Sequence, residues 1–149
     1  MDVTLRDQPE LRVAGIRHIG PYHEIGRAFG RLGGIAGPPP AGAQMIAVFH
    51  DDPDTTPADK LRSDATLSLP KAAHTPNGLI EQRIPAGRYA TVVHKGSYED
   101  LPKTWERLKK EWLPAHGHRA ANPSYEIYLN NPMTTPKQDL LTEIYVRLA

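Results

Sequence analysis

The stretch Arg12-Val-Ala-Gly-Ile-Arg-His-Ile-Gly-Pro-Tyr22 returns 76 residues later as Arg88-Tyr-Ala-Thr-Val-Val-His-Lys-Gly-Ser-Tyr98. Widening the comparison to 9–32 against 85–108 gives eight identities in 24 positions. Ordinary residue usage gives on the order of one or two. A second block aligns at a shift of 79: Pro53, Thr55, Thr56, Pro57, Leu61 and Leu69 meet Pro132, Thr134, Thr135, Pro136, Leu140 and Leu148. Phe49/Tyr128, Asp51/Asn130, Asp52/Asn131 and Asp64/Glu143 exchange like for like. The chain is a duplication, with three extra residues in the second helix-to-strand connection.

Each half reads as β-β-α-β-β. Arg12–His18 and Arg88–His94 are short apolar runs with β-branched content, hence strands, and Val3–Arg6 and Leu79–Ile84 precede them across a proline turn. The first helix follows Gly20-Pro21 and shows Ile25, Phe29 and Leu32 on one face, with Gly33-Gly34 weakening its end. The second shows Leu101, Trp105, Leu108 and Trp112 as one stripe, with Ser97 or Asp100 able to cap it and Pro114 and Gly117 stopping it. Strands Gln44–Phe49 and Tyr125–Leu129 come next. In the loops that follow, Thr56 and Thr135 each precede a proline and could cap a single helical turn. Last strands run over about 64–69 and 142–148. The expected fold is α+β: two pseudosymmetric repeats, about 1–75 and 76–149, forming an eight-stranded antiparallel sheet with two main helices on one face. Pro38-Pro39-Pro40 falls inside the first repeat and reads as a surface loop, since half a chain is too small for an independent core.

Composition narrows the function. Of 149 residues 39% are hydrophobic and 23% charged, near globular averages. Eighteen basic against seventeen acidic side chains give +1, too balanced for binding driven by phosphate electrostatics alone. No apolar run is long enough for a membrane helix, and the charged N-terminus lacks the core of a signal peptide. There is no cysteine, which removes disulfides, thiolate metal sites and thiol nucleophiles. A cytoplasmic location is expected.

Sites form where duplicated halves meet, so the informative residues are those that break the symmetry. Glu126 stands where the first repeat has Ala47, Trp105 replaces Phe29, Tyr89 replaces Val13 and Tyr145 replaces Thr66. Period two puts Glu126 on the face of Tyr128 and opposite Ile127. A mid-strand glutamate either faces solvent or lies buried among rings. In the second case it must protonate or find a donor or cation. With Trp105, Tyr128 and Tyr145 around it, such a carboxylate suits a lipophilic or cationic aromatic molecule.

His18-Ile-Gly-Pro-Tyr22 with His94-Lys-Gly-Ser-Tyr98, the Phe49–Pro53 and Tyr128–Pro132 segments, and Glu111-Trp-Leu-Pro114 resemble the GyrI-like small-molecule-binding family. That family comprises DNA gyrase inhibitory proteins and AraC-type effector-binding domains, and the resemblance spans about 3–148. It implies a duplicated SHS2-type fold with a ligand cleft between the halves. Carried over residue by residue, it implies a ligand set of Glu126, Trp105 and Tyr145. Tyr128, Tyr89, Phe29 and Trp112 complete the expected binding residues. Drug or toxin sensing or sequestration follows as the first function. A hydrolase opening cyclopropane-bearing DNA-alkylating compounds, with Glu126 as acid/base and Trp105 and Trp112 holding the drug, is an alternative. A modulator of DNA gyrase is another. Relatives that regulate transcription attach a helix-turn-helix, for which these residues leave no room, so direct DNA binding is not expected. No cofactor or metal is expected either. His18 and His94 read as structural, and His50-Asp51-Asp52, matched by Leu129-Asn130-Asn131, reads as an Asx turn.

Overall fold

The computed structural model describes all of residues 1–149. Eight strands form one antiparallel sheet: β1 (Thr4–Gln8), β2 (Leu11–Ile19), β3 (Met45–Phe49), β4 (Arg62–Ser68), β5 (Ile80–Ile84), β6 (Gly87–Lys95), β7 (Ala120–Tyr128) and β8 (Leu141–Leu148). Their order is β1-β6-β8-β7-β3-β4-β2-β5. The repeats meet at β3 and β7, and each lends its first strand to the other: β1 pairs with β6, and β5 with β2. Neither half therefore closes its sheet alone.

Helix α1 (Gly26–Ala36) lies over alanines: Ile25 and Ala28 pack on Ala47 and Ala65. Leu32 joins Ala14 and Leu67 in a neighbouring cluster. The second helix runs through α2 (Leu101–Glu106), a π-helical segment Arg107–Trp112 and a last turn α3 (Leu113–Ala115). Its Leu101, Leu108 and Leu113 pack on Ala90, Val92, Ile144 and Val146 of the same sheet face. Full burial of each such side chain stabilises by roughly 1.5–3 kcal/mol. The other sheet face is buried as well, around Val13, Ile46, Val48, Ile84, Tyr89, Tyr125, Ile127 and Tyr145.

The duplicated motif has one local job, done twice. His18 Nε2 lies 3.1 Å from the Pro21 carbonyl, and His94 Nε2 lies 3.1 Å from the Ser97 carbonyl. Each ring holds the turn that swings the strand into its helix, and Gly20 and Gly96 supply the left-handed backbone there, φ 134° and 128°. Asx turns recur too: Asp52 accepts from the Asp54 N–H at 2.9 Å and Asn131 from the Met133 N–H at 2.8 Å.

Several boundaries differ from the sequence reading. Gly33-Gly34 does not weaken α1, which runs to Ala36 and stops at Gly37, φ 72°. Thr56 and Thr135 cap nothing; Pro57 and Pro136 occupy the cap positions of the one-turn helices Ala58–Lys60 and Lys137–Asp139. Ser97, not Asp100, is the capping side chain, accepting from the Glu99 N–H. Pro114 lies inside the last turn rather than before it. Strand β7 begins at Ala120, five residues ahead of Tyr125, and a bulge between Ala121 and Tyr125 accommodates Pro123, which has no N–H for the ladder.

Candidate functional site

Glu126 sits on β7 directly across from Ala47 of β3, at the seam between the repeats. It is 4% exposed. Trp105 donates its indole N–H to Oε2 at 2.7 Å, and the Tyr128 hydroxyl donates to Oε1 at 2.9 Å. Both donors are neutral, and no Lys, Arg or His forms an ion pair with the carboxylate. Burial pushes the Glu126 carboxyl above its ordinary range, and the two hydrogen bonds only partly oppose that. The same burial and the nearby carboxylate push the Tyr128 phenol well up, so it stays a donor.

The other buried acid makes the contrast. Asp64, 3% exposed, lies on the opposite sheet face. Burial pushes its carboxyl up, but hydrogen bonds from His50, Arg17 and Gln82 outweigh that and hold it below the usual range. Arg17 Nε lies 2.8 Å and His50 Nε2 2.5 Å from it. Asp64 has a cation built in, Arg17; Glu126 has none.

Aromatic rings surround Glu126 in two triads related by the duplication. Phe49 meets Trp105 edge-on at 5.5 Å and 84°, and Tyr128 meets Phe29 at the same 5.5 Å and 84°. Tyr22 tilts on Phe49 at 57°, and Tyr98 on Tyr128 at 55°. Each triad mixes residues of both repeats, because each helix leans its aromatic onto the other repeat's central strand. Beside Glu126, a cleft of about 510 Å³ opens between the halves, lined by Tyr22 and Phe49 from the first and Trp105 and Ser124 from the second. Glu126 itself does not line it; the half-buried Trp105, bonded to the carboxylate, does. Lys109–Asp52 (3.8 Å) and Lys110–Asp54 (3.4 Å) cross its rim.

Of the residues singled out from sequence, the structure gathers Glu126, Trp105, Tyr128 and Phe29 in one place. It does not bring Tyr145, Tyr89 or Trp112 to them. Tyr145 opposes Thr91 across β8 and β6, one residue out of phase with Ile144, which opposes Glu126. The two-residue period therefore sends Tyr145 to the other sheet face. There it stacks on Tyr125 at 4.6 Å and 11°, with Tyr89 5.3 Å from Tyr125. Trp112 is seven residues past Trp105, about 10 Å along the axis. There it packs against the cluster of Leu108 and Leu113. It stacks on His116 at 3.9 Å.

The sequence and the fold that carry this arrangement have counterparts among known proteins. The profile of the GyrI-like small molecule binding domain matches residues 1–149. The chain belongs to that family. The DNA gyrase inhibitor of Salmonella typhimurium (strain LT2) is similar at 32% identity over 152 residues, covering 98% of this chain and 97% of that one. The crystal structure of the EcmrR C-terminal domain superimposes with a TM-score of 0.77 at 22% identity, covering 99% and 97% of the two chains. The structure of SAV2435 bound to tetraphenylphosphonium superimposes with a TM-score of 0.70 at 13% identity, covering 100% and 94%.

In this GyrI-like domain three site residues escaped the sequence reading: Phe49, Tyr22 and Tyr98. Their signal was present. Tyr22 aligns with Tyr98 and Phe49 with Tyr128, so the duplication that marks Tyr128 marks all three.

Proposed function

We propose that this GyrI-like domain binds lipophilic aromatic cations at Glu126, sensing or sequestering them in the cytoplasm, with residues 1–149 acting as one ligand-binding unit. The observation that carries the reading is a carboxylate 4% exposed with two neutral donors and no cation. Leaving such a charge unpaired costs several kcal/mol, so a cation that enters gains what the empty site lacks. Rings on both sides supply apolar contact and cation–π attraction. A ligand enters from the cleft by turning the Trp105 indole aside. Tetraphenylphosphonium, the ligand of the structural neighbour, is a cation of this class.

Tetraphenylphosphonium and its anionic isostere tetraphenylborate, each titrated while tryptophan fluorescence is read, test the proposal. The cation is expected to saturate one site and the anion not to; equal affinity for both overturns it. Ligand recovered unchanged after incubation separates binding from the hydrolytic alternative, in which Glu126 would activate a water.

Modulation of DNA gyrase is a second reading, favoured by a relative of that name at 32% identity along nearly the whole chain. A supercoiling assay with the wild-type protein and Glu126→Gln decides whether such an effect exists and whether it passes through the cleft.

A further inference from the structure

The duplication gives Tyr22 and Tyr98 the same place and the same ring contact, yet their hydroxyls differ. Tyr22 donates to the Asp51 carbonyl at 2.8 Å, with the Arg62 carbonyl at 3.2 Å, and accepts from the Asp51 N–H at 3.0 Å. It ties the β3–β4 loop to the start of β4. The matching positions in the second repeat are Asn130 and Leu141. There the loop is closed without the tyrosine: Asn130 Nδ2 donates to the Asp139 carbonyl at 2.9 Å, and Oδ1 accepts from the Leu141 N–H at 3.0 Å. In the first repeat Asp51 Oδ2 likewise accepts from the Arg62 N–H at 2.8 Å; what the second repeat adds is the amide donor of Asn130, which a carboxylate lacks. The Tyr98 hydroxyl is left buried with no hydrogen-bond partner. Its ring packs 5.4 Å from that of Tyr128, which holds Glu126. Burial raises the Tyr98 phenol, and the charge of Glu126 adds to that. Buried hydroxyls are nearly always bonded, and of the three here without a partner (Ser63, Thr142 and Tyr98) Tyr98 is the one whose ring packs on the tyrosine that holds Glu126, which points to a missing group that bonds both.

We propose that the Tyr98 hydroxyl is a ligand-binding and specificity-determining group of the Glu126 site, selecting primary or secondary aromatic ammonium ions over fully substituted onium ions. This rests on the function proposed above and names its ligand class. One N–H of the ammonium donates to Glu126 and a second to the Tyr98 oxygen. A quaternary cation satisfies the charge and leaves the hydroxyl bare, and sites built to bond a polar hydrogen discriminate against analogues lacking it.

Three dibenzazepines with one ring system and one three-carbon chain provide the test: desipramine (secondary ammonium), imipramine (tertiary) and N-methylimipramine (quaternary). Wild-type protein is expected to bind the secondary form about tenfold more tightly than the quaternary form, the tertiary between them. Tyr98→Phe removes one oxygen and no existing hydrogen bond, so its melting temperature is expected to match the wild type. Its secondary-to-quaternary affinity ratio is expected to fall towards one. A ratio near one in the wild type, or an unchanged ratio in Tyr98→Phe with binding retained, overturns the role of Tyr98 alone. Absence of saturable binding by all three overturns the function proposed for the cleft, and this inference with it.

Discussion

The two aromatic triads share their ring geometry and differ in their polar atoms. In Tyr22–Phe49–Trp105 the phenol is consumed by its own loop and Phe49 carries nothing to donate; in Tyr98–Tyr128–Phe29 one hydroxyl holds Glu126 and the other is free. Across the seam the floor is Ala47 on one side and Glu126 on the other. Duplication built a symmetric apolar frame, and a few substitutions made one side of it polar. Edge-to-face ring contacts depend on shape and survive the exchange of Phe for Trp or Tyr, whereas the exchange added the polar atoms of the proposed site.

The largest effect expected from breaking the symmetry concerns the frame itself. Gly15 opposes Thr66, where the second repeat has Thr91 opposing Tyr145. A Cβ at Gly15 would overlap the Ala65 carbonyl oxygen and come within 2.7 Å of Thr66 Cα. Gly15→Ala is expected to cost about 3 kcal/mol or more. That lowers the melting temperature by roughly 6–12 °C. Thr91→Gly, which only removes atoms, should cost about 1 kcal/mol.

Next comes the charge. Glu126→Gln keeps shape and both hydrogen-bonding partners but removes the ion, and is expected to weaken tetraphenylphosphonium binding about a hundredfold, near 2.7 kcal/mol. The same substitution should raise stability at neutral pH. The folded-state pKa of Glu126 is raised, so its contribution is full below the unfolded value, near 4.5, and is lost as pH rises through the folded one. Melting curves from pH 4 to pH 8 should show Glu126→Gln and wild type converging at the acid end and parting above it.

A smaller contrast compares the tyrosines. Tyr22→Phe strands the Asp51 N–H and carbonyl and should destabilise by about 1–2 kcal/mol. Tyr98→Phe should change stability by less than about 0.5 kcal/mol, because its hydroxyl has no bond to lose. Urea unfolding of both measures the difference. Small too, Lys109→Ala with Lys110→Ala breaks the surface pairs to Asp52, Asp54 and Glu106 and should cost at most about 0.5 kcal/mol at low salt, less in 0.5 M salt.

How much of this was legible follows from what repeats reveal. Alignment of Arg12–Tyr22 with Arg88–Tyr98 was enough for the α+β class and the eight-stranded sheet, because it shows one β-β-α-β-β unit twice; the exchange of first strands between the repeats was not legible in it. Glu126 stood out because its partner is Ala47. Tyr145 went astray because asymmetry marks a position without stating its face; counting by twos across the β7–β8 pairing would have separated it from Glu126. Trp112 went astray because sharing a helix face with Trp105 does not bring it near, about two turns further on. The free hydroxyl of Tyr98 was out of reach, since its aligned partner Tyr22 is fully bonded and the residue type is the same.

The most direct measurement follows the Glu126 carboxyl carbon by NMR in protein labelled at glutamate, from pH 3 to pH 9, with and without tetraphenylphosphonium. The account requires a midpoint above the ordinary 4.5 in the free protein and a lower one once the cation is bound. A midpoint at or below 4.5 that the cation does not move would contradict it.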